Sequence, residues 1–198
     1  MKKRVFIVHG WEDHPERGWF SWLQKQLEKR GFEVHAPKMP CQPPALKAWK
    51  AFLEGLVGVP DKDTYLVGHS AGCMTILRYL EGLPKGYQVG GAVLVAGWTD
   101  DLGFKELRNF FEKPVSWKDV RAHCRNFVVI YSDNDPHVKP YHAEVLEEEL
   151  RANVMAEYGK GHLGGDDGVS ELPSVLVELL KLAGAREQAT LFSSACFR

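Results

Sequence analysis

The feature that most constrains the fold is an alternation of short, continuously apolar runs with longer segments of helical periodicity. The runs Arg4–Val8 and Gly91–Ala96 are rich in Val, Ile and Leu and carry almost no polar residues. A strand with apolar residues on both sides is buried on both faces, which is typical of a parallel sheet covered by helices. The alternation therefore predicts an α/β fold, with a compact, mostly parallel sheet of about six strands and helices on both faces.

The predicted elements extend over most of the 198 residues. The predicted strands are Arg4–Val8, Phe32–Ala36, Thr64–Val67, Gly91–Ala96, Asn126–Tyr131 and Asn153–Tyr158. The predicted helices are Trp19–Arg30, Ala45–Val57, Ala71–Leu83, Tyr141–Ala152 and Val169–Ala183. The stretch Thr99–His123 is expected to be irregular or short-helical, too short for a large lid domain. A chain of this length usually forms one domain, here predicted over residues 1–183, with a flexible or loosely docked tail at 184–198.

Charge and cysteine content exclude several classes of protein. The net charge is -1, with 25 basic and 26 acidic residues, which gives no electrostatic case for binding nucleic acid. No apolar run reaches the ~18 residues of a membrane span. The four cysteines form no C-x-x-C pair, so a zinc ribbon is not supported, and scattered thiols favour a reducing, cytoplasmic location.

The segment 68-GHSAG-72 is the strongest candidate for chemistry, because sites in open α/β sheets form at the carboxyl ends of strands. A predicted strand precedes it and a helix with an apolar face follows, which is the context of a nucleophile elbow. Glycines at 68 and 72 would relieve the crowding of such a tight turn. Ser70 is therefore the predicted nucleophile, although serine is also a good helix N-cap.

An elbow also predicts an oxyanion hole. The Ala71 N–H, at the positive end of the following helix, is one expected donor. The second should come from the loop after the first strand, where the Trp11 N–H is expected to donate and Gly10 allows close approach. Gly10, His69 and Trp98 are the predicted substrate contacts. The Trp11 and Trp19 side chains are candidates for lining an apolar pocket, with helix packing as the alternative for Trp19.

A serine nucleophile needs a base and an orienting acid. Among eight histidines, His162 follows the last predicted strand in a Gly-rich loop and is the predicted base. His137 and His142 are expected on a loop and a helix surface. Asp135 is the predicted acid and Asp133 its competitor, since Asp133 is also suited to bonding the turn backbone. The order Ser70, Asp135, His162 is that of α/β-hydrolases.

These motifs also resemble a known family. The HGW start, the GHSAG elbow, the SDNDPHVKP acid segment and the GKGH base segment are similar to the small serine hydrolases typified by retinoblastoma-binding protein nine and its bacterial relatives. The resemblance covers roughly residues 3–183. It implies an α/β-hydrolase fold, a Ser-His-Asp triad, and no metal or cofactor. The chain contains no L-x-C-x-E motif, so a retinoblastoma-type partner is not expected.

The sequence thus predicts a serine hydrolase acting on a small-molecule ester or related acyl substrate through an acyl-enzyme intermediate. An amidase or peptidase would use the same three residues, so it stays the alternative within enzymes. A binding module that keeps the hydrolase fold without turnover is the alternative from another class, because a fold does not dictate a function. Nothing in the sequence favours one oligomeric state.

Overall fold

A computed structural model describes residues 2–185 and contains one six-stranded sheet in which every neighbouring pair of strands is parallel. The order across the sheet is β2-β1-β3-β4-β5-β6. The strands are β1 (Arg4–Val8), β2 (Glu33–His35), β3 (Thr64–His69), β4 (Gly91–Val95), β5 (Phe127–Ser132) and β6 (Asn153–Glu157). The predicted six-stranded parallel sheet is confirmed.

Helices cover both faces of the sheet, as the apolar strands require. They are α1 (Phe20–Glu28), α2 (Leu46–Val57), α3 (Ala71–Glu81), α4 (Trp117–His123), α5 (Tyr141–Leu150) and α6 (Pro173–Leu182). Alternate residues of one strand enter different cores: Val5 and Ile7 face the cluster formed with α1 and α6, whereas Phe6 and Val8 face the cluster formed with α2 to α5. This division follows from the two-residue period of a strand.

Some helices are shorter than the periodicity predicts. The last one begins at Pro173 rather than at Val169. Proline suits the first position of a helix because the amide hydrogen it lacks would have no partner there. Gly184 and Ala185 close that helix with backbone hydrogen bonds to Lys181 and Leu180. The remainder of the predicted tail, residues 186–198, lies outside the described residues.

The stretch between β4 and β5 is organised by a buried arginine. Arg78, on α3 and 5% exposed, donates from Nε and Nη2 to the Phe110 carbonyl at 2.9 and 2.6 Å, and its guanidinium also contacts the carbonyls of Lys113 and Pro114. Just before this anchor lies a 3₁₀ helix, Lys105–Phe110. These bonds fix the segment against α3, and no large extra domain is present in residues 2–185.

The thiols and the helices give two further facts about the described residues. Cys41, Cys73 and Cys124 are free thiols, and the last two are buried. Among residues 2–185, none of the helices has both the length and the apolar character needed to cross a membrane.

The sheet has a switch point between β1 and β3. From β1 the chain moves to β2 on one side, and it then returns to place β3 on the other side of β1. The connections therefore diverge at the carboxyl ends of β1 and β3, where open α/β sheets form their binding crevices. His9 and Gly10 follow β1 at this point, and Ser70 follows β3.

Candidate active site

Ser70 lies on a strained turn between β3 and α3. Its φ of 50° and ψ of -116° fall outside the regions that residues with a side chain usually occupy. The turn is held by the Ser70 N–H, which donates to the Val95 carbonyl at 2.9 Å, and by the Cys73 N–H, which donates to the Ser70 carbonyl. Ser70 makes no side-chain cap hydrogen bond to α3. A helix cap therefore does not explain the residue, and strain of this kind is common at functional sites.

The two glycines that flank Ser70 are required by close packing. A Cβ atom on Gly68 would lie 2.8 Å from the Cα atom of Cys73. A Cβ atom on Gly72 would overlap the carbonyl oxygen of Val8. Both obstacles are backbone atoms, which cannot move aside as a flexible side chain would. The turn and β1 thus approach each other at a distance that only glycine allows.

Asp135 and His162 form a close pair beside this turn. Asp135 Oδ2 accepts a hydrogen bond from His162 Nδ1 at 2.7 Å, and Asp135 Oδ1 accepts from the backbone N–H groups of His137 and Val138 at 2.8 and 2.9 Å. The Asp135 side chain is 1% exposed. Burial by itself would raise its pKa, but the bonds to His162 and to the two N–H groups outweigh burial and lower the pKa of Asp135.

Asp133, the competing acid, has a different role. Its Oδ1 accepts the Gly159 N–H at 2.7 Å, and the residue is exposed. It therefore ties the end of β5 to the loop after β6, as aspartate often does in turns. The structure brings Asp135, and not Asp133, to His162.

The loop that carries His162 is tied down at several points. The His162 N–H donates to Asp167 Oδ2 at 3.0 Å, and the Leu163 carbonyl accepts the indole N–H of Trp19 at 2.9 Å. The His162 carbonyl lies 2.8 Å from His69 Nε2. These contacts fix the position of the His162 backbone, while its side chain remains 19% exposed.

Ser70 Oγ is engaged by an indole. Trp98 Nε1 donates to Ser70 Oγ at 3.4 Å, and the Trp98 ring is 1% exposed, held against Phe110 and Phe111. The hydrogen bonds of residues 2–185 include none between Ser70 and the His162 ring. Ser70 and His162 nevertheless line the same pocket. Hydrogen bonds between catalytic groups are often long in ligand-free enzymes and tighten once substrate is bound.

Two backbone N–H groups near Ser70 are unengaged. Within the described residues, neither the Trp11 nor the Ala71 N–H donates to a protein acceptor. The Trp11 peptide is oriented by His9, whose Nδ1 donates to the Gly10 carbonyl at 2.7 Å while its Nε2 accepts the Met39 N–H at 2.9 Å. Because C=O and N–H point in opposite directions across a trans peptide, holding the Gly10 carbonyl also directs the Trp11 N–H.

The pocket at Ser70 has a volume of about 470 Å³ and a lining of mixed chemistry. Apolar side chains and four acidic residues both contribute to it. The apolar residues are Trp11, Trp98, Leu102, Phe104 and Leu107, and the acidic ones are Glu12, Asp13, Asp166 and Asp167. A site with mainly apolar walls and a few polar groups is typical of small-molecule pockets. In residues 2–185, no group of three or more His, Cys, Asp or Glu side chains is placed to hold a metal ion.

The predicted substrate contacts occupy different places. His69 and Trp98 line the pocket, whereas Gly10 lies behind it, where a Cβ atom would come within 3.1 Å of Ser70 Cβ and 3.0 Å of His69 Nδ1. Trp11 lines the pocket and contacts Phe104 edge to face. Trp19 is fully buried and does not line it. Helix packing, together with the bond to Leu163, is therefore the role of Trp19.

The sequence correctly predicts a loop position for His137 but not its place in the pocket, and its prediction for His142 is wrong. His137 is exposed but lines the pocket, with its ring 5.2 Å from that of His162, because the turn after Asp135 folds back over the site. His142, expected on a helix surface, is 1% exposed, because α5 packs this side against the segment after β4. Its Nδ1 accepts the Thr99 N–H at 3.1 Å. The sequence signal for the pocket position of His137 is that it follows the proposed acid, Asp135, by two residues.

Comparison with known proteins identifies the family of the chain. Residues 5–181 match the family model for serine hydrolases. The chain belongs to the serine hydrolase family. It is 32% identical to YdeN of Bacillus subtilis (strain 168) over 177 residues, which cover 88% of this chain and 93% of YdeN. It is also 30% identical to the serine hydrolase RBBP9 of Rattus norvegicus over 158 residues, covering 78% of this chain and 82% of RBBP9.

Solved structures give the same result for the fold. The crystal structure of the ydeN gene product from B. subtilis superposes with a TM-score of 0.88 and 30% identity, covering 92% of this chain and all of that one. Est1E from Butyrivibrio proteoclasticus superposes with a TM-score of 0.70 at 14% identity, a likeness of fold alone. The α/β-hydrolase fold and the resemblance inferred from the motifs are thus confirmed, and membership of the serine hydrolase family supports a hydrolase activity.

Proposed function

We propose that the protein cleaves an ester or related acyl bond of a small molecule through an acyl-enzyme intermediate on Ser70. The observation that carries the proposal is the 2.7 Å bond between Asp135 and His162, placed at a pocket that also contains the strained Ser70. A nucleophile, a base and an acid that orients the base are the three parts that serine-based acyl transfer needs.

In the acylation half of the reaction, Ser70 Oγ attacks the carbonyl carbon while its proton passes to His162 Nε2. Ser70 Oγ accepts the Trp98 indole N–H, so the hydroxyl proton is free to be donated to His162 once substrate is bound. The buried Asp135 carboxylate accepts the Nδ1–H and so keeps Nε2 free of a proton before attack. When the tetrahedral intermediate collapses, His162 returns the proton to the leaving oxygen, and the acyl group stays on Ser70.

In the deacylation half, water replaces the alcohol. His162 Nε2 takes a proton from water, the hydroxide attacks the acyl carbonyl, and collapse returns the proton to Ser70 Oγ. The carboxylic acid then leaves. Asp135 remains ionised throughout, which its lowered pKa favours.

The Trp11 and Ala71 N–H groups are the proposed oxyanion hole. Both are unengaged among the described residues, and Ala71 is the first residue of α3, where the helix dipole is positive. Loss of a single oxyanion donor typically lowers turnover about 10²–10³-fold. Both donors belong to the backbone, so their positions depend on the backbone around them. The hydrogen bond from His9 to the Gly10 carbonyl positions the Trp11 N–H, and the strained turn at Ser70 positions the Ala71 N–H.

The pocket favours substrates with an apolar group beside the reacting carbonyl. Trp98, Phe104 and Leu107 form a wall that can bury such a group. Burial of apolar surface contributes about 25 cal/mol per Å², so each added methylene should strengthen binding by about 0.8 kcal/mol until the wall is filled. A cytoplasmic location, expected from the scattered thiols, is part of this proposal.

A panel of p-nitrophenyl esters of increasing acyl length, compared between the wild type and Ser70→Ala, tests the proposal. We expect the wild type to hydrolyse at least one ester far faster than Ser70→Ala, with kcat/KM rising with chain length over the first members. Equal rates for the two proteins across the panel would instead favour a binding module on the same fold. Matched p-nitroanilides with the same acyl groups separate an esterase from an amidase.

A further inference from the structure

A second imidazole lies beneath the proposed base. His69 ends β3 and is 3% exposed, and its Nε2 is 2.8 Å from the carbonyl oxygen of His162. Because a carbonyl oxygen only accepts, this contact is a hydrogen bond only when Nε2 carries the proton. His69 therefore joins the nucleophile turn directly to the backbone of the residue that holds the proposed base.

The other ring nitrogen of His69 is the unusual one. Nδ1 is buried and has no hydrogen-bond partner, yet Asp13 Oδ2 lies 3.6 Å away on a side chain that is 12% exposed. A buried acceptor without a donor is unfavourable, and here the lone pair of Nδ1 faces a carboxyl oxygen. One proton placed between the two atoms would remove the conflict, and a small approach of the two side chains from 3.6 Å would then make the contact a hydrogen bond.

We propose that Asp13 and His69 share one proton and act as a positioning pair, which holds the His162 carbonyl and, through it, the proposed general base. In the favoured arrangement, Asp13 is a carboxylic acid that donates from Oδ2 to Nδ1, and Nε2–H donates to His162. The positioning role rests on the proposed function of His162, whereas the shared proton is a property of the two side chains alone.

The surroundings of His69 favour its neutral form. Burial is the main cause that lowers the pKa of His69 to about 3, and the nearby His162 ring lowers it further. The bond to the His162 carbonyl and the charge of Asp135 oppose this shift, and His9 adds to it. The proton of the pair therefore belongs on the carboxyl side rather than on an imidazolium ion.

The surroundings of Asp13 agree with this placement. Burial raises the pKa of Asp13, and the Asp166 carboxylate adds to the rise. The His14 N–H, which donates to Asp13 Oδ1 at 2.8 Å, and the charges of His9 and Arg17 oppose it without reversing it. A carboxyl group whose pKa is raised keeps its proton to higher pH than usual, and the shared proton is then lost as the pH rises through that pKa.

Loss of the shared proton should release the base loop. The Asp13 carboxylate would face the bare Nδ1, and the imidazole would move its proton from Nε2 to Nδ1 to satisfy it. Nε2 would then present a lone pair to the His162 carbonyl, and that hydrogen bond would break. The pair therefore predicts a fall in kcat on the alkaline side, as the pH rises through the raised pKa of Asp13.

Two substitutions of nearly equal size separate this role from a structural one. Asp13→Asn supplies an N–H that donates to Nδ1 at every pH, so we expect kcat within about threefold of the wild type and no alkaline fall. Asp13→Leu fills similar space but has no group that can donate to Nδ1. We therefore expect its kcat to be about five- to tenfold lower than that of the wild type, which corresponds to the loss of about one hydrogen bond. Glu148→Gln removes one charge from an exposed residue of α5, away from the pocket, and serves as the charge control.

The imidazole nitrogens report on the pair without any turnover. In ¹⁵N spectra of the wild type at neutral pH, we expect His69 with its proton on Nε2, and an alkaline transition that Asp13→Asn abolishes. A proton on Nδ1 with Nε2 bare at neutral pH, or the same transition in Asp13→Asn, would overturn the proposal. If the spectra show the expected behaviour but no ester is cleaved, the pair stands and the proposed function fails. If esters are cleaved but Asp13→Leu matches Asp13→Asn, the positioning role fails.

Discussion

Replacement of Asp135 by Asn is the perturbation that most sharply separates the two candidate acids. The Asp135 side chain is 1% exposed and uses both oxygens, Oδ2 for His162 Nδ1 at 2.7 Å and Oδ1 for the backbone N–H groups of His137 and Val138. Asparagine has almost the same shape, and its single oxygen can keep the two backbone bonds. Its amide N–H₂ must then face His162.

The amide reverses the tautomer of the base. A donor facing Nδ1 requires Nδ1 to be the acceptor, so the neutral ring carries its proton on Nε2, the atom that should receive the Ser70 proton. The same aspartate-to-asparagine replacement in a well-studied serine protease triad keeps the geometry but lowers kcat about 10⁴-fold. We expect a fall of about 10³–10⁴ for Asp135→Asn, with KM changed only slightly because Asp135 is not a pocket residue.

Asp133→Asn is the matched control, since it makes the same chemical change two residues away. Its oxygen can still accept the Gly159 N–H, so we expect kcat within about threefold of the wild type. The assay is hydrolysis of the best p-nitrophenyl ester, with thermal unfolding of each variant to verify folding. A rate for Asp135→Asn within tenfold of the wild type, or a larger loss in Asp133→Asn, would refute the reasoning.

The lowered pKa of Asp135 adds a pH test to the same variants. A carboxyl group with a pKa below its unfolded value contributes stability above the unfolded pKa and loses it as the pH falls through the folded pKa. The difference in Tm between the wild type and Asp135→Asn should therefore be largest near neutral pH and should shrink in acid. A difference that grows in acid would contradict the proposed charge of Asp135.

Two further predictions concern the turn at Ser70. Trp98→Phe keeps an aromatic ring but removes the N–H that lies 3.4 Å from Ser70 Oγ. We expect this variant to fold and to hydrolyse esters about two- to fivefold more slowly than the wild type. An unchanged rate would show that the indole does not assist the nucleophile. Gly72→Ala drives a Cβ atom into the Val8 carbonyl and should cost about 1–3 kcal/mol or more, read as a lower Tm, whereas Gly55→Ala in α2 meets open space and should raise Tm slightly. Equal melting temperatures for the two alanine variants would count against the steric account.

Much of the fold was accessible from local pattern. Strands such as Gly91–Val95 are buried on both faces, and their continuous apolar composition reveals that fact directly. The strand ends can be located for the same reason, so the sequence alone predicts Ser70, Asp135 and His162 as candidate site residues. Asp133 competes with Asp135 in the sequence, because two aspartates of the same turn have nearly the same local context, and only the tertiary structure places Asp135 at His162.

The features that sequence did not predict depend on contacts between distant segments. The burial of Arg78 has no signal in the sequence, because it depends on the carbonyls of Phe110 and Lys113, which surround its guanidinium. The contact between Trp98 and Ser70 forms because the end of β4 lies next to the turn that carries Ser70. The position of Asp13 next to His69 needs the loop after β1 to fold over β3. The hydrophobic periodicity of a sequence does not indicate which distant segments come into contact.

The most direct test of the central claim is the site of covalent modification by a fluorophosphonate probe. Wild type and Ser70→Ala are treated with the probe, digested, and the modified peptide is identified by mass spectrometry. We predict a single adduct on the peptide that contains Ser70 in the wild type, and no adduct in Ser70→Ala. Undiminished labelling of Ser70→Ala, or an adduct on another residue of the wild type, would contradict the role of Ser70 as nucleophile.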